Sequence, residues 1–156
     1  MIAADNMVLC NNAQTSLNFS SAPSGGGNSY SYQWQQSTDG NNWSNVPSAT
    51  AATYTTPSLT ATTGYRAIVA STLGCSSDTT AAVQVTVLPQ FVPGTVGRDT
   101  VVCYNTSPGT ILMVADATGG MPPYSYQWQQ SSNAVNFTDI STQTGTSYTP
   151  PALTTG

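Results

Sequence analysis

The chain has 156 residues, of which only 5% are charged, and its net charge is −4. Its two arginines, Arg66 and Arg98, are too few to form a nucleic-acid-binding face, and the absence of histidine excludes a histidine-based catalytic triad. Three scattered cysteines do not match a zinc site, and no run approaches 18 apolar residues, so we expect no enzyme activity, cofactor, metal or membrane span.

Short strands separated by turn residues are predicted throughout, with no helical periodicity. The segment Tyr30–Ser37 alternates strictly and places Tyr32 and Trp34 on one face, and the Asp39-Gly40-Asn41-Asn42 segment after it is typical of a hairpin turn. The predicted strands of the first part are Asn6–Cys10, Ser16–Ser20, Tyr30–Ser37, Trp43–Val46, Thr53–Thr56, Gly64–Ser71 and Ala82–Leu88. Strands at about ten-residue spacing are typical of a Greek-key β-sandwich.

An internal repeat follows the first set of strands. The run Tyr30–Ser37, YSYQWQQS, recurs 94 residues later as Tyr124–Ser131. The same spacing places Phe137 at the position of Trp43, Tyr148 at that of Tyr54 and Leu153 at that of Leu59. A unit of this length is the size of one sandwich domain.

The repeat predicts an all-β protein made of tandem immunoglobulin-like β-sandwiches. We expect a first domain at 1–88, a stiff Pro/Gly linker at 89–97, and a second repeat at 98–156 that is truncated before its last strands. The expected core residues are Trp34, Tyr32 and Tyr65, with Trp128 and Tyr126 as their counterparts. Tyr65 follows a turn that resembles a tyrosine corner.

The cysteines are expected to form one disulfide per repeat. Cys10 and Cys75 lie within the first repeat, and Cys103 opens the second repeat as Cys10 opens the first, so the partner of Cys103 would be lost in the truncation. A Cys10–Cys75 bond would place the protein outside the cytosol. Three free thiols are the alternative.

The combined motifs resemble a known class of repeat. The stretch GGMPPYSYQW at 119–128, STDGNNW at 37–43 and YTTPSLT at 54–60 occur with Tyr65-Arg66 and a later Cys75. In this order they resemble repeats of giant Bacteroidota surface adhesins, including gliding-motility adhesins exported by the type IX secretion system, over nearly the whole chain. The resemblance implies an immunoglobulin-like fold, secretion and a place at the cell surface. It carries no catalytic residue and no ligand site.

Several residues are candidates for glycan attachment, ligand stacking or metal binding. Thr79 and Thr100 follow aspartates, as in O-glycan attachment motifs of exported Bacteroidota proteins. Trp43 and Phe137 either stack on sugars or cover the edge of the core. Asp39 either contributes to a Ca²⁺ site or serves only the hairpin turn, which is favoured because the second repeat has no acid there. Arg66 is expected to pair with an aspartate or to cap a loop carbonyl.

Four functions are open on the sequence. The first is a non-enzymatic structural or adhesive module of a long extracellular protein, whose partners are neighbouring repeats. The second is a carbohydrate-binding module for surface polysaccharide, and the third is an accessory domain of a secreted enzyme. In the fourth, another copy completes the second repeat by strand addition and the chain is a filament subunit.

Overall fold

The computed structural model describes residues 1–26, 29–74, 76–97 and 99–154. It contains strands and no helix among these residues, which confirms the predicted all-β class. Accordingly, the described residues hold no helix with the length and apolarity needed to cross a membrane. The chain divides into two compact units, Met1–Gln90 and Phe91–Gly156.

Nine strands form the first unit, and they belong to two sheets. In chain order they are β1 (Ile2–Ala4), β2 (Val8–Leu9), β3 (Ser16–Phe19), β4 (Tyr30–Ser37), β5 (Ser44–Asn45), β6 (Tyr54–Thr55), β7 (Thr63–Ser71), β8 (Ser77–Thr79) and β9 (Val83–Val87). One sheet has the order β1-β3-β6 and is antiparallel. The other has the order β2-β9-β7-β4-β5, in which β2 and β9 are parallel and β8 also pairs with β7.

The strands β8 and β9 lie along the same edge of β7. Ile68–Ala70 pair with β8 and Thr63–Tyr65 pair with β9, while the opposite edge of β7 is occupied by β4 along its whole length. Thr80 lies between β8 and β9 and continues the hydrogen bonding to β7. Its amide donates to the Ala67 carbonyl at 2.9 Å, and its Oγ1 accepts from the Ala67 amide at 3.0 Å.

Alternation along the strands builds the core between these sheets. Trp34, Tyr65 and Leu17 are fully buried. Phe19 of β3 contacts the Trp34 ring with centroids 5.8 Å apart, and Tyr54 of β6 contacts the Tyr65 ring at 6.0 Å. Aromatic pairs of this geometry add to the area burial that holds one sheet against the other.

The second unit has five described strands. They are β10 (Thr95–Val96), β11 (Ile111–Ala115), β12 (Gln129–Gln130), β13 (Thr138–Asp139) and β14 (Ser147–Tyr148). The sheet β10-β11-β14 repeats the order of β1-β3-β6, and the β12–β13 pair repeats the β4–β5 hairpin. Several apolar side chains of this unit are exposed, including Val101 at 98% and Phe137 at 55%.

The structure differs from the sequence-based prediction at β1, at β8 and at the predicted linker. The strands β1 and β8 were not expected, because three residues are too few for alternation to be read. The segment expected as a linker, 89–97, is largely part of the second unit. Val92 forms a bridge with Thr118, β10 pairs with β11, and the units divide after Gln90.

Candidate functional site

The loop after β4 is organised around the carboxylate of Asp39. It accepts from the amides of Asn42 at 2.7 Å and Asn41 at 2.9 Å, from Asn42 Nδ2 at 2.6 Å and from Ser37 Oγ at 2.9 Å. The donors of Asn42, then Asn41 and Ser37, lower the pKa of Asp39 below its usual range. Because these donors belong to its own loop, the carboxylate organises the turn.

The second unit builds the same loop with an amide. Asn133 Oδ1 accepts from the amides of Asn136 at 2.9 Å and Val135 at 3.0 Å, and from Ser131 Oγ at 3.0 Å. An oxygen acceptor is therefore what this position needs, and a negative charge is not. Among the described residues, no group of three His, Cys, Asp or Glu side chains lies close enough together to hold a metal ion.

Trp43 lies on the outer face of the larger sheet, away from the core. Its ring is half-buried and crosses Gly64 closely enough that a Cβ added there would lie 3.3 Å from its Cη2 atom. The Arg66 guanidinium lies 4.3 Å from the ring centroid, and Arg66 Nε donates to Gln35 Oε1 at 2.8 Å. Arg66 thus pairs with an aromatic ring and an amide, and the expectation of an aspartate or loop carbonyl is wrong.

One ring face of Trp43 is therefore already occupied by a cation. The equivalent Phe137 is exposed, with no described ring or cation contact. Of the two candidate stacking residues, Phe137 is the more accessible to a ligand.

The cysteine prediction requires correction. Cys10 carries a free, exposed thiol, and Cys75 lies outside the described residues. Cys103 is also free and exposed.

The two threonines proposed as glycan attachment residues are both exposed. Thr79 is the last residue of the edge strand β8, and Thr100 lies outside any strand. The neighbouring Asp78 carboxylate accepts from the Thr79 amide at 2.7 Å.

The predicted core residues differ in burial between the units. Trp34 is fully buried while Trp128 is half-buried, and Tyr32 and Tyr126 are both half-buried. Tyr65 is fully buried, but its hydroxyl has no hydrogen-bond partner among the described residues. Within the described part of the chain, Tyr65 therefore lacks the hydrogen bond that defines a tyrosine corner.

Burial raises the pKa of Tyr65 to about 12, and the neighbouring Tyr54 adds to the rise. The Thr63 hydroxyl opposes the rise, but it donates to the Ala61 carbonyl at 2.9 Å and forms no hydrogen bond of normal geometry with Tyr65.

A small cleft opens at the end of the first unit. It has a volume of about 330 Å³ and is lined in part by Phe19, Tyr30, Val69 and Asp78. The Tyr30 hydroxyl donates to the Gly25 carbonyl, so this phenol serves the loop. The titratable side chains among its described lining residues are the carboxylate of Asp78 and the phenol of Tyr30.

The two hairpins share the same hydrogen bonds around their tryptophans. The indole nitrogen of Trp34 donates to Ala51 O, and that of Trp128 donates to Gly145 O, both at 2.9 Å. The side-chain amide of Gln33 donates to two carbonyls of its hairpin and that of Gln127 to three, including Val46 O and Ile140 O respectively. Sequence analysis missed these glutamines, although their place in the repeated YSYQWQQS run was a signal.

A family model described as a domain of unknown function (DUF8696) matches residues 1–89 and residues 92–156. Among curated proteins, a sequence search found no match.

Proposed function

The chain belongs to the DUF8696 family over both of its repeats, and on that premise we propose that it is a structural or adhesive module of a long extracellular protein. In this proposal it is non-enzymatic, its folds are immunoglobulin-like, and its partners are neighbouring repeats. The adhesin resemblance of the sequence supports a location at the cell surface.

The repeated hairpin is the observation that carries this proposal. The hydrogen bonds of the tryptophan and glutamine side chains recur at the same spacing in both units. The two repeats therefore share the residues that hold the hairpin together. The loop residue Asp39 changes to Asn133 with the same hydrogen bonds. Residues retained for shape are typical of a spacer repeated along a chain.

The strand order supports an immunoglobulin-like assignment. The chain crosses between the sheets β1-β3-β6 and β2-β9-β7-β4-β5 at each step from β1 to β4 and again from β5 to β7, as Greek-key connections do. The outer face of β4 carries Ser31, Gln33 and Gln35, an uncharged polar surface suited to solvent.

Surface labelling tests the proposed location. An antibody raised against the 156-residue chain should label intact cells that produce it, as strongly as it labels lysed cells. Labelling that appears only after lysis would contradict the proposal. A cytosolic protein of the same cells serves as the control for intactness.

A carbohydrate-binding function is the second candidate, and the exposed ring of Phe137 favours it. Polysaccharide pull-down with the parent chain and with Phe137→Ala tests it. Binding that is lost in the variant, with an unchanged circular dichroism spectrum, would support this function. No binding by the parent chain would count against it, and Trp43→Ala is the matched control in the first unit.

A further inference from the structure

The first unit pairs its second strand with its last strand. The strand β2 lies beside β9 in a parallel direction, with Leu9 opposite Val87. The Thr86 amide donates to Met7 O at 2.8 Å, and the Leu88 amide donates to Leu9 O at 2.8 Å. The strand β1, which precedes β2, pairs with β3 in the other sheet. The β2–β9 pair therefore joins the first part of the unit to its last strand.

The parallel direction of this pair decides how tension along the chain acts on it. Because both strands run the same way, the chain enters β2 at one end of the pair and leaves β9 at the other end. Tension therefore pulls the two strands past each other along their axes. The hydrogen bonds lie across that direction, so they resist the tension together. In an antiparallel pair, the chain would enter and leave at the same end, and the bonds would open one after another.

The two ends of the first unit lie on opposite sides of this pair. Met1 and Thr80 line the same cleft at one end of the unit. After Thr80, β9 runs along β7 from Tyr65 towards Thr63, away from that cleft. The unit ends at Gln90, shortly after β9. Tension between Met1 and Gln90 therefore acts lengthwise on the β2–β9 pair.

The pair is anchored in the core of the unit. Leu9 is 5% exposed, Val85 of β9 is fully buried, and Val87 packs against the same buried cluster. On its other side, β9 pairs with β7, and the Val87 amide donates to Thr62 Oγ1 at 3.0 Å. Hydrogen bonds that are shielded from water are stronger than exposed ones. The strand β9 is therefore a firm support against which β2 can be held.

We propose that the first unit is a tension-resisting module, in which the β2–β9 pair is a mechanical clamp that opposes unfolding by force along the chain. The inference rests on the proposed function as a module of a long protein, and it adds a mechanical activity to that function. Its test uses the isolated chain and no cells. Its failure is therefore distinguishable from a failure of the surface labelling.

Single-molecule force spectroscopy on the complete 156-residue chain tests the proposal. One tether is attached at Met1, and the other at a cysteine introduced by Gln90→Cys or by Ala81→Cys, both of which are exposed positions. Residue 90 lies after β9, so this tether pulls the pair along its length. Residue 81 lies before β9, so that tether opens the pair from one end. In both chains serine replaces the native cysteines, which are Cys10, Cys75 and Cys103.

The two pulling directions should give different unfolding rates. At equal force, the first unit should unfold at least about tenfold more slowly with tethers at residues 1 and 90 than at residues 1 and 81, since forced unfolding reports the barrier to unfolding. Urea midpoints without force should be the same for both chains, which separates mechanical resistance from equilibrium stability. Equal unfolding rates in the two directions would overturn the proposal.

Two variants assign the resistance to the β2–β9 pair. Thr86→Pro removes the amide that donates to Met7 O, so it should abolish the difference between the two pulling directions. Thr86→Val is its matched control, because it keeps the amide and the branched side chain, and it should retain the difference. A difference that persists in Thr86→Pro would refute the clamp. If Thr86→Pro does not fold, the comparison of directions in the parent chain decides the proposal.

Discussion

At the scale of single residues, the hairpin loops of the two units require a left-handed backbone conformation at the same position, which is occupied by different residues. Gly40 has a φ of +73°, and its counterpart Ala134 has a φ of +55°. This left-handed region costs an L-residue with a Cβ about 1 kcal/mol. The two positions therefore form a natural pair for substitution.

Exchanging these residues should move stability in opposite directions. We expect Gly40→Ala to lower the stability of the first unit by about 1 kcal/mol, since open space around a Cβ leaves only the backbone cost. Ala134→Gly should raise that of the second unit by about 0.5–1 kcal/mol. Urea unfolding measures both changes, and a shift of the same sign in both variants would contradict this account.

Tyr65 couples stability of the first unit to alkaline pH. Its pKa is raised to about 12 from an ordinary value of 10.0, so the unfolded chain releases this proton first. The free energy of unfolding of the first unit should therefore be unaffected by Tyr65 ionisation below pH 10. It should fall as pH rises from 10 towards 12.

Tyr65→Phe isolates that effect. It removes a buried hydroxyl without a described partner, so we expect a gain of about 1 kcal/mol at neutral pH. The loss of stability between pH 7 and pH 11 should also be smaller than in the parent chain. Urea midpoints at both pH values measure this, and an undiminished alkaline loss in the variant would show that other groups are responsible.

At the scale of elements, Thr80 holds the interrupted edge of the larger sheet together. Its Oγ1 is the acceptor for the amide of Ala67, a fully buried residue. Thr80→Val keeps the shape but leaves that amide without its acceptor, which should cost roughly 1–3 kcal/mol.

Thr79→Val is the matched control, since Thr79 is exposed and has no described side-chain hydrogen bond. It should change stability by less than about 0.5 kcal/mol. The measurement is urea unfolding together with amide exchange at Ala67. Equal losses of stability in the two variants would contradict the role of the Thr80 hydroxyl as the acceptor for the Ala67 amide.

At the scale of the whole molecule, the two units should unfold at different denaturant concentrations. The buried cluster that includes Trp34, Tyr65 and Val85 lies in the first unit, whereas the second exposes Val101, Val114 and Phe137. Less buried apolar area means less stabilisation, so residues 91–156 should unfold first.

Pulse proteolysis in increasing urea measures this order. Thermolysin suits the chain because it cuts at apolar residues, whereas trypsin would find only two arginines. Cleavage within 91–156 should precede cleavage within 1–90. A single transition for both units would contradict the expectation.

Strict alternation made the longest strands predictable from sequence. Tyr30–Ser37 is observed with the predicted bounds, and Gly64–Ser71 is extended by one residue. The three-residue strands β1 and β8 carry no readable period. The partners of Arg66 and the unpartnered hydroxyl of Tyr65 depend on residues distant in sequence, so single-sequence reasoning did not find them.

The hairpin of the second unit bears on the order in which such a repeat folds. It closes its tryptophan and glutamine bonds over 12 to 17 residues of sequence, although β13 is the only described strand that pairs with β12. In the first unit, the β4–β7 pairing must instead close loops of 27 to 41 residues. Short loops close at a lower entropic cost, so the hairpin is the natural nucleus and β7 joins it later. During synthesis, the first repeat would thus carry a finished hairpin before its partner strand β7 leaves the ribosome.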